Sequence, residues 1–283
     1  MKVVTTVEEL RGALKEERRR GKSIGFVPTM GYLHAGHLSL VNKAKETADV
    51  VVMSIFVNPT QFGPNEDYES YPRDFERDRR LAEEAGVDVL FHPPVSEIYP
   101  GDEILRIEVT RRVDVLCGKS RPGHFDGVAT VLIKLFNIVQ PDYAFFGLKD
   151  AQQVAVVEGL IRTLHIPVQL VPCETVREED GLAMSSRNVR LNPDERKEAV
   201  HLNQALDAGV RLIESGERAS AVVREAVRGH LERHLRLGEI DYVDVLTYPG
   251  LEAKETIDGR TIIAVAVRFK NARLIDNKIV DVH

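Results

Sequence analysis

Short apolar runs alternating with helical patterns over the first 175 residues constrain this chain more than any other feature. The runs Ile24–Pro28, Val50–Val57, Val87–His92, Tyr143–Phe146 and Val168–Pro172 are brief and rich in Val, Ile or Phe, which predicts buried strands. Helices are predicted between them. Thr6 and Glu9 form a capping box for a helix over about Val7–Arg20. Val154, Val157, Ile161 and Leu164 make one apolar helix face that starts near Asp150, and a charged helix is predicted over Arg73–Glu84. Such alternation implies right-handed βαβ units and a mostly parallel sheet covered on both faces.

The rhythm changes after residue 175. Glu174–Asp180 is charged, has no apolar stripe and reads as a linker or mobile loop. Helices follow over about Pro193–Glu214 and Ser220–Leu237. Strands are then predicted at Tyr242–Tyr248, Thr261–Phe269 and Arg273–Ile275, separated by Asp258-Gly259 and Lys270-Asn271 turns. The fold class is therefore α/β: a Rossmann-like parallel-sheet domain over residues 1–175 and a smaller α+β domain over residues 176–283. A chain of 283 residues buries roughly three quarters of its unfolded surface, so the core needs neither disulfide nor metal.

Charge and targeting features exclude several classes. The formal net charge is -6, from 38 basic and 44 acidic residues, and no strong field favours nucleic acid or a membrane. The run Arg18–Arg20 reads as a solvated helix face. Cys117 and Cys173 are far apart without CxxC spacing, as expected of two buried thiols in a reducing compartment. No leader pattern precedes the first helix and no apolar stretch approaches the length of a membrane span, so a protein of the cytoplasm or an organelle matrix is expected, with a cytoplasmic location as the reading adopted.

The segment Pro28-Thr29-Met30-Gly31-Tyr32-Leu33-His34-Ala35-Gly36-His37 leaves a predicted strand and enters a predicted helix. Ligands of open α/β sheets bind at the carboxyl ends of strands, where helix N-termini offer N–H groups to phosphate. Gly31 and Gly36 allow close backbone approach, and His34 and His37 can donate to phosphate oxygens. Alone, His-x-x-His equally fits ordinary core or surface histidines, and no third ligand nearby supports a metal. Neither a dinucleotide fingerprint nor a P-loop is present. The segment resembles the His-x-Gly-His element of the nucleotidylyltransferase superfamily. Two further segments suit phosphate: Gly147-Leu148-Lys149-Asp150, with a cation and a ribose-hydroxyl acceptor, and Met184-Ser185-Ser186-Arg187-Asn188. Ser185-Ser186 by itself fits a turn or helix cap.

Together with Phe56–Gly63, Tyr71–Arg73, Arg121–Val131 and Gln140–Tyr143, these blocks resemble the pantothenate synthetase (pantoate–β-alanine ligase) family along the whole chain. Leu148 departs from the family, which usually has a polar residue there, so no side-chain role is expected at that slot. The resemblance implies ATP-dependent formation of pantoyl adenylate with Mg²⁺, attack by the β-alanine amine, and release of AMP and pyrophosphate. It implies phosphate contacts from His34, His37, Lys149, Ser185, Ser186 and Arg187, with His37, His34 and Lys149 catalytic. It implies an ATP site running from Met30, Gly31, Tyr32 and Leu33 through Ala35 and Gly36, completed by Gly147, Leu148, Asp150, Val176 and Met184. Gln61 and Gln153 would hold pantoate; neutral amides orient a polyol acid without neutralising its carboxylate. Asn58, Arg121 and His124 are further candidates, with structural hydrogen bonding as the alternative. Asp78 is a candidate Mg²⁺ ligand, with a solvated helix face as the alternative. A homodimer is also implied. Because Met184–Arg187 lies at the junction with the second domain, after the charged Glu174–Asp180 segment, residues 176–283 are expected to act as a lid. Two other functions remain open: a nucleotidylyltransferase acting on a phosphorylated small molecule, and a non-catalytic nucleotide-binding regulator.

Overall fold

The five apolar runs become strands of a six-stranded, all-parallel sheet in a computed structural model that describes residues 1–64, 66–101 and 104–282. The strands are β1 (Lys2–Val4), β2 (Ile24–Thr29), β3 (Val50–Ile55), β4 (Val89–Phe91), β5 (Tyr143–Gly147) and β6 (Gln169–Cys173), in the order β1-β4-β3-β2-β5-β6. β1 escapes the sequence pattern because it is a three-residue edge strand with only Val4 buried. The helices are α1 (Val7–Arg19), α2 (Ala35–Thr47), α3 (Phe75–Glu84), α4 (Val95–Ile98), α5 (Leu116–Ser120), α6 (His124–Val139) and α7 (Ala151–Thr163). The Thr6–Glu9 capping box is present at α1.

Two compact units divide the chain and interleave in sequence. Unit 1 holds Met1–Arg111, Arg121–Leu148 and Val156–Glu174; unit 2 holds Arg112–Ser120, Lys149–Ala155 and the residues from Thr175 onward. In unit 1 the strand starts are tied by acids that precede β3, β4 and β5. Asp49 accepts from the Ser23 amide (2.9 Å) and hydroxyl (2.7 Å), Asp88 from Val51 N–H (2.8 Å), and Asp142 from Ile24 N–H (2.7 Å). Each satisfies an amide beyond the reach of the ladder. Leu40, Val41 and Ala44 of α2 pack with Val27, Met53 and Phe145 in the core. The chain proceeds β2→β3→β4 to one side and β5→β6 to the other. The switch point therefore lies between β2 and β5, whose carboxyl ends flank the crevice such sheets use for ligands.

Unit 2 is an antiparallel sheet of β7 (Glu239–Thr247), β8 (Gly259–Arg268) and β9 (Arg273–Val282), with α8 (Pro193–Ala199), α9 (His201–Glu214) and α10 (Ser220–His234). Alternation sorts its faces. Val243, Val245, Ile263, Val265 and Val267 pack with α9 and α10, whereas Leu246, Ile262 and Ala264 pack with Leu116, Ala151 and Ala155. β9 runs seven residues past its expected end at Ile275, because Asp276 and Asn277 break the apolar pattern while remaining bonded. Asp276 takes a two-pronged ion pair from Arg177 (2.7 and 2.9 Å), and Asn277 donates to the Lys149 carbonyl (2.9 Å).

Glu174–Asp180, expected as a linker or mobile loop, instead enters a small hairpin. Arg177 bridges Ala183, Glu178 N–H reaches Leu182 O (2.8 Å) and Met184 N–H reaches Val176 O (3.0 Å). Arg196 pairs with Glu178 (2.7 Å) and Asp180 (2.8 Å), so charge rather than an apolar stripe holds the segment. Cys117 and Cys173 are free thiols, the first buried. Among the described residues no helix is long and apolar enough to cross a membrane.

One contact sets the position of the Pro59–Gln61 turn. A Cβ on Gly127 of α6 would stand 2.2 Å from the Thr60 carbonyl oxygen and 2.6 Å from Gln61 Cα. Gly127→Ala must push that turn away, at a cost of about 1–3 kcal/mol. Urea denaturation should show the loss, and an unchanged midpoint would refute the close packing.

Candidate active site

The loop from Met30 to His37 leaves β2 at the switch point and is fixed by one buried acid. Asp78 of α3, 1% exposed, accepts the Tyr32 N–H through Oδ2 (2.6 Å) and the Leu33 N–H through Oδ1 (2.7 Å). Burial pushes its carboxyl above the ordinary range, against the two N–H donors and Arg77, which pull it down. Arg77 also stands over the Tyr32 ring, 5.0 Å from its centroid. Gly31 has φ +86°, and a Cβ there would meet Asp78 Oδ2 and Ile55 Cγ2 at 2.9 Å. Thr29 Oγ1 accepts the Gly31 N–H (3.2 Å) and donates to Ser54 O (2.7 Å). Asp78 is thus neither on a solvated face nor a free carboxylate for Mg²⁺. Its oxygens hold the loop.

His34 and His37 open α2 as a capping pair. His34 is the N-cap; its Nδ1 accepts Gly36 N–H (3.1 Å), and His37 Nδ1 accepts His34 N–H (3.3 Å). The rings lie 4.0 Å apart. With both Nδ1 atoms accepting, each neutral ring carries its proton on Nε2. Two N–H donors are thereby fixed at a helix N-terminus, where anions are stabilised.

Gln61, largely buried, is oriented from behind. Asn58 Nδ2 donates to Gln61 Oε1 (3.0 Å) and to Gly127 O (3.1 Å), while Asn58 Oδ1 accepts from Tyr99 OH (2.8 Å) and Thr60 Oγ1 (2.9 Å). Gln61 Nε2 then lies 3.2 Å from Met30 Sδ, a weak acceptor, leaving an N–H donor against the histidine loop. Arg121 forms a bidentate pair with Glu66 (2.6 and 2.5 Å) and donates to His124 Nε2 (3.0 Å). His124 Nδ1 in turn donates to Gln61 O (2.8 Å). Burial works to raise the Glu66 carboxyl, but Arg121 outweighs it and holds the group below its usual range. Asn58, Arg121 and His124 therefore position the Gln61 turn. A cavity of about 560 Å³ shares Met30, Tyr32 and Asp78 with this region but includes neither Gln61 nor the two histidines.

The residues expected from the sequence are shared between the units. Met30–His37, Asn58, Gln61, Asp78, Arg121, His124, Gly147 and Leu148 belong to unit 1, with Gly147 ending β5 beside β2. Lys149, Asp150, Gln153, Val176 and Met184–Arg187 belong to unit 2. There the hairpin brings Val176 and Met184 together. Lys149 pairs with Asp150 (3.6 Å), and Leu148 is buried. Ser185 stabilises a turn through the Arg187 N–H (3.2 Å), and Ser186 is buried. Gln153 is half-buried on the first turn of α7. Its neighbour Gln152 is buried and bonded to Cys117 N–H (2.9 Å), Arg112 O (2.8 Å) and Val115 O (2.9 Å).

Residues 2–279 match the family described as pantoate-beta-alanine ligase. The chain belongs to the pantoate-beta-alanine ligase family. It is 60% identical to the pantothenate synthetase of Geobacillus kaustophilus (strain HTA426) over 281 residues, 99% of this chain and 93% of the relative. It is also 60% identical to that of Halalkalibacterium halodurans over 280 residues, 99% of each chain. The fold matches the crystal structure of pantothenate synthetase from Thermus thermophilus with a TM-score of 0.93 at 48% identity, covering 98% of this chain and 99% of that one. It also matches the Francisella tularensis pantoate-beta-alanine ligase complexed with Beta-gamma ATP and beta-alanine, with a TM-score of 0.80 at 34% identity, covering 99% and 97%.

Three supports of this candidate site were not foreseen. Glu66 and Tyr99 carry no local signal, since their partners Arg121 and Asn58 lie 55 and 41 residues away. Asp78 could be separated from its surface-acid neighbours only by knowing which face of α3 is buried. Asp78→Asn replaces one accepting oxygen by an NH₂ that faces an N–H. One loop amide is then unpaired, costing about 1–3 kcal/mol, and ATP affinity should fall with stability. Calorimetric titration with ATP checks this; unchanged affinity would show that the clamp does not order the loop.

Proposed function

We propose that the chain joins pantoate and β-alanine to give pantothenate, consuming ATP and releasing AMP and pyrophosphate through an enzyme-bound pantoyl adenylate. The observation that carries this reading is the oriented Gln61 amide, whose Nε2 reaches Met30 Sδ on the loop that runs on into the His34–His37 capping pair of α2. A pantoate carboxylate oxygen attacks the α-phosphorus, the bond from that phosphorus to the pyrophosphate oxygen breaks, and pyrophosphate leaves. The amine of β-alanine then attacks the acyl carbon, the acyl–phosphate C–O bond breaks, AMP leaves, and the amine loses a proton. Both steps need alignment and charge stabilisation more than bond-making by the protein.

In this reading His34, His37 and Lys149 stabilise phosphate charge, joined by Ser185, Ser186 and Arg187. Gln61 and Gln153 hold pantoate, with Asn58, Arg121 and His124 as supports. The nucleotide is lined by Met30–Gly36, Gly147, Leu148, Asp150, Val176 and Met184. Mg²⁺ keeps several waters and relies on substrate phosphates, so few protein ligands are needed. Mg²⁺ would therefore enter on the ATP phosphates, offsetting pyrophosphate charge, with no ligand role for Asp78. The reading includes a homodimer, a cytoplasmic location, and a lid role for residues 176–283. Carriage of Ser185, Ser186 and Arg187 within residues 176–283 supports the lid.

AMP release that requires both pantoate and β-alanine tests the proposal; a product that retains the nucleotide would favour a nucleotidylyltransferase instead. His37→Ala should lower the adenylation rate about 10²–10³-fold in a folded protein, read as pyrophosphate release. Near-normal release would remove His37 from the chemistry. Gln61→Ala should weaken pantoate binding by about 1 kcal/mol with little change for ATP. Equal losses for both substrates would place Gln61 outside the acid pocket.

A further inference from the structure

His201, His230 and His234 take no part in the ligation chemistry, yet unit 2 gathers them into one cluster. His201 is the first residue of α9, and His230 and His234 stand one turn apart near the end of α10. One ring nitrogen of each lies within 4.8 Å of the others. The His234 ring stacks on both of the others at 4.3 Å, and the His201 and His230 rings are 5.6 Å apart. Aliphatic side chains would fill such a helix–helix contact without burying a polar atom. Here Nδ1 of His201 and Nε2 of His230 are buried with no hydrogen-bond partner, which native proteins seldom tolerate. His234 Nδ1 donates to the His230 carbonyl (2.8 Å), so its Nε2 presents a lone pair. That is the backbone-anchored arrangement typical of metal-ligating histidine.

We propose that His201, His230 and His234 form a Zn²⁺-class metal site that staples α9 to α10, with water as the fourth ligand. The i, i+4 pair on one helix plus a third imidazole is a familiar zinc ligand set. Tetrahedral bonds of about 2.0–2.1 Å place ligand nitrogens roughly 3.4 Å apart, so small side-chain rotations close the cluster. The surroundings select against hard cations. The neighbouring Glu198 carboxylate already accepts the N–H groups of Arg236 (3.0 Å), Leu237 (2.9 Å) and Gly238 (3.2 Å). The remaining charged neighbours of His230 are Arg211 and Arg233. Three imidazoles without an available carboxylate suit Zn²⁺, Co²⁺ or Ni²⁺, not Mg²⁺ or Ca²⁺.

The test uses the full chain, stripped with chelator and titrated with Zn²⁺ by calorimetry, and with Co²⁺ by visible absorption. One equivalent of Zn²⁺ should bind with a raised thermal midpoint, Co²⁺ should give a tetrahedral spectrum, and Mg²⁺ should do neither. His230→Gln and His234→Gln should each weaken Zn²⁺ binding at least about 100-fold while retaining ligation activity, which also reports that they fold. His34→Ala with His37→Ala should leave Zn²⁺ binding intact. Absence of saturable Zn²⁺ binding, an octahedral Co²⁺ spectrum, or unchanged affinity in the His230→Gln and His234→Gln variants would overturn the proposal.

Discussion

The carboxylate of Asp78 is the interaction on which the candidate site rests. A loop leaving a parallel strand at a switch point carries amides that no ladder can satisfy. Asp78 takes two of them, from Tyr32 and Leu33, at 2.6 and 2.7 Å. The buried charge is costly, and its raised proton affinity records that cost. Leu33 is driven fully into the core, and α2 starts two residues later with His34 as its cap. The helix start that carries both imidazoles is therefore placed by an acid on another helix.

A second layer of polar groups does for the Gln61 amide what Asp78 does for the loop. Asn58 uses both ends of its side chain, so Gln61 has one orientation. Arg121 and Glu66 neutralise each other beneath the same turn, and His124 passes that order to the Gln61 carbonyl. Networks of this kind are worthwhile only when every member is bonded. Gly127 completes the arrangement by having no side chain, since the turn occupies that space.

Unit 2 shows how buried polar residues can disguise regular structure. Asp276 and Asn277 sit in the middle of β9 and are satisfied by Arg177 and the Lys149 carbonyl. The same Arg177 turns a segment that looks like a linker into an ordered hairpin, helped by Arg196. Residues 112–120 and 149–155 join this unit because Leu116, Ala151 and Ala155 cover the second face of its sheet.

The sequence alone determined the period of the elements, and period depends only on local neighbours. The apolar runs, the Thr6–Glu9 capping box and the Asp258-Gly259 turn place most strands and helices to within a few residues. The His34–His37, Gln61 and Ser185–Arg187 blocks carry the family resemblance unaided. Other features were decided by tertiary structure, because they depend on groups distant in sequence. Only the packed sheet shows that Asp78 faces inward, that Glu66 meets Arg121, and that Asn58 and His124 position a turn. The same holds for the three clustered histidines of α9 and α10. An imidazole 29 residues from its nearest partner has no period to betray it, and it acquires its neighbours only when the two helices pack.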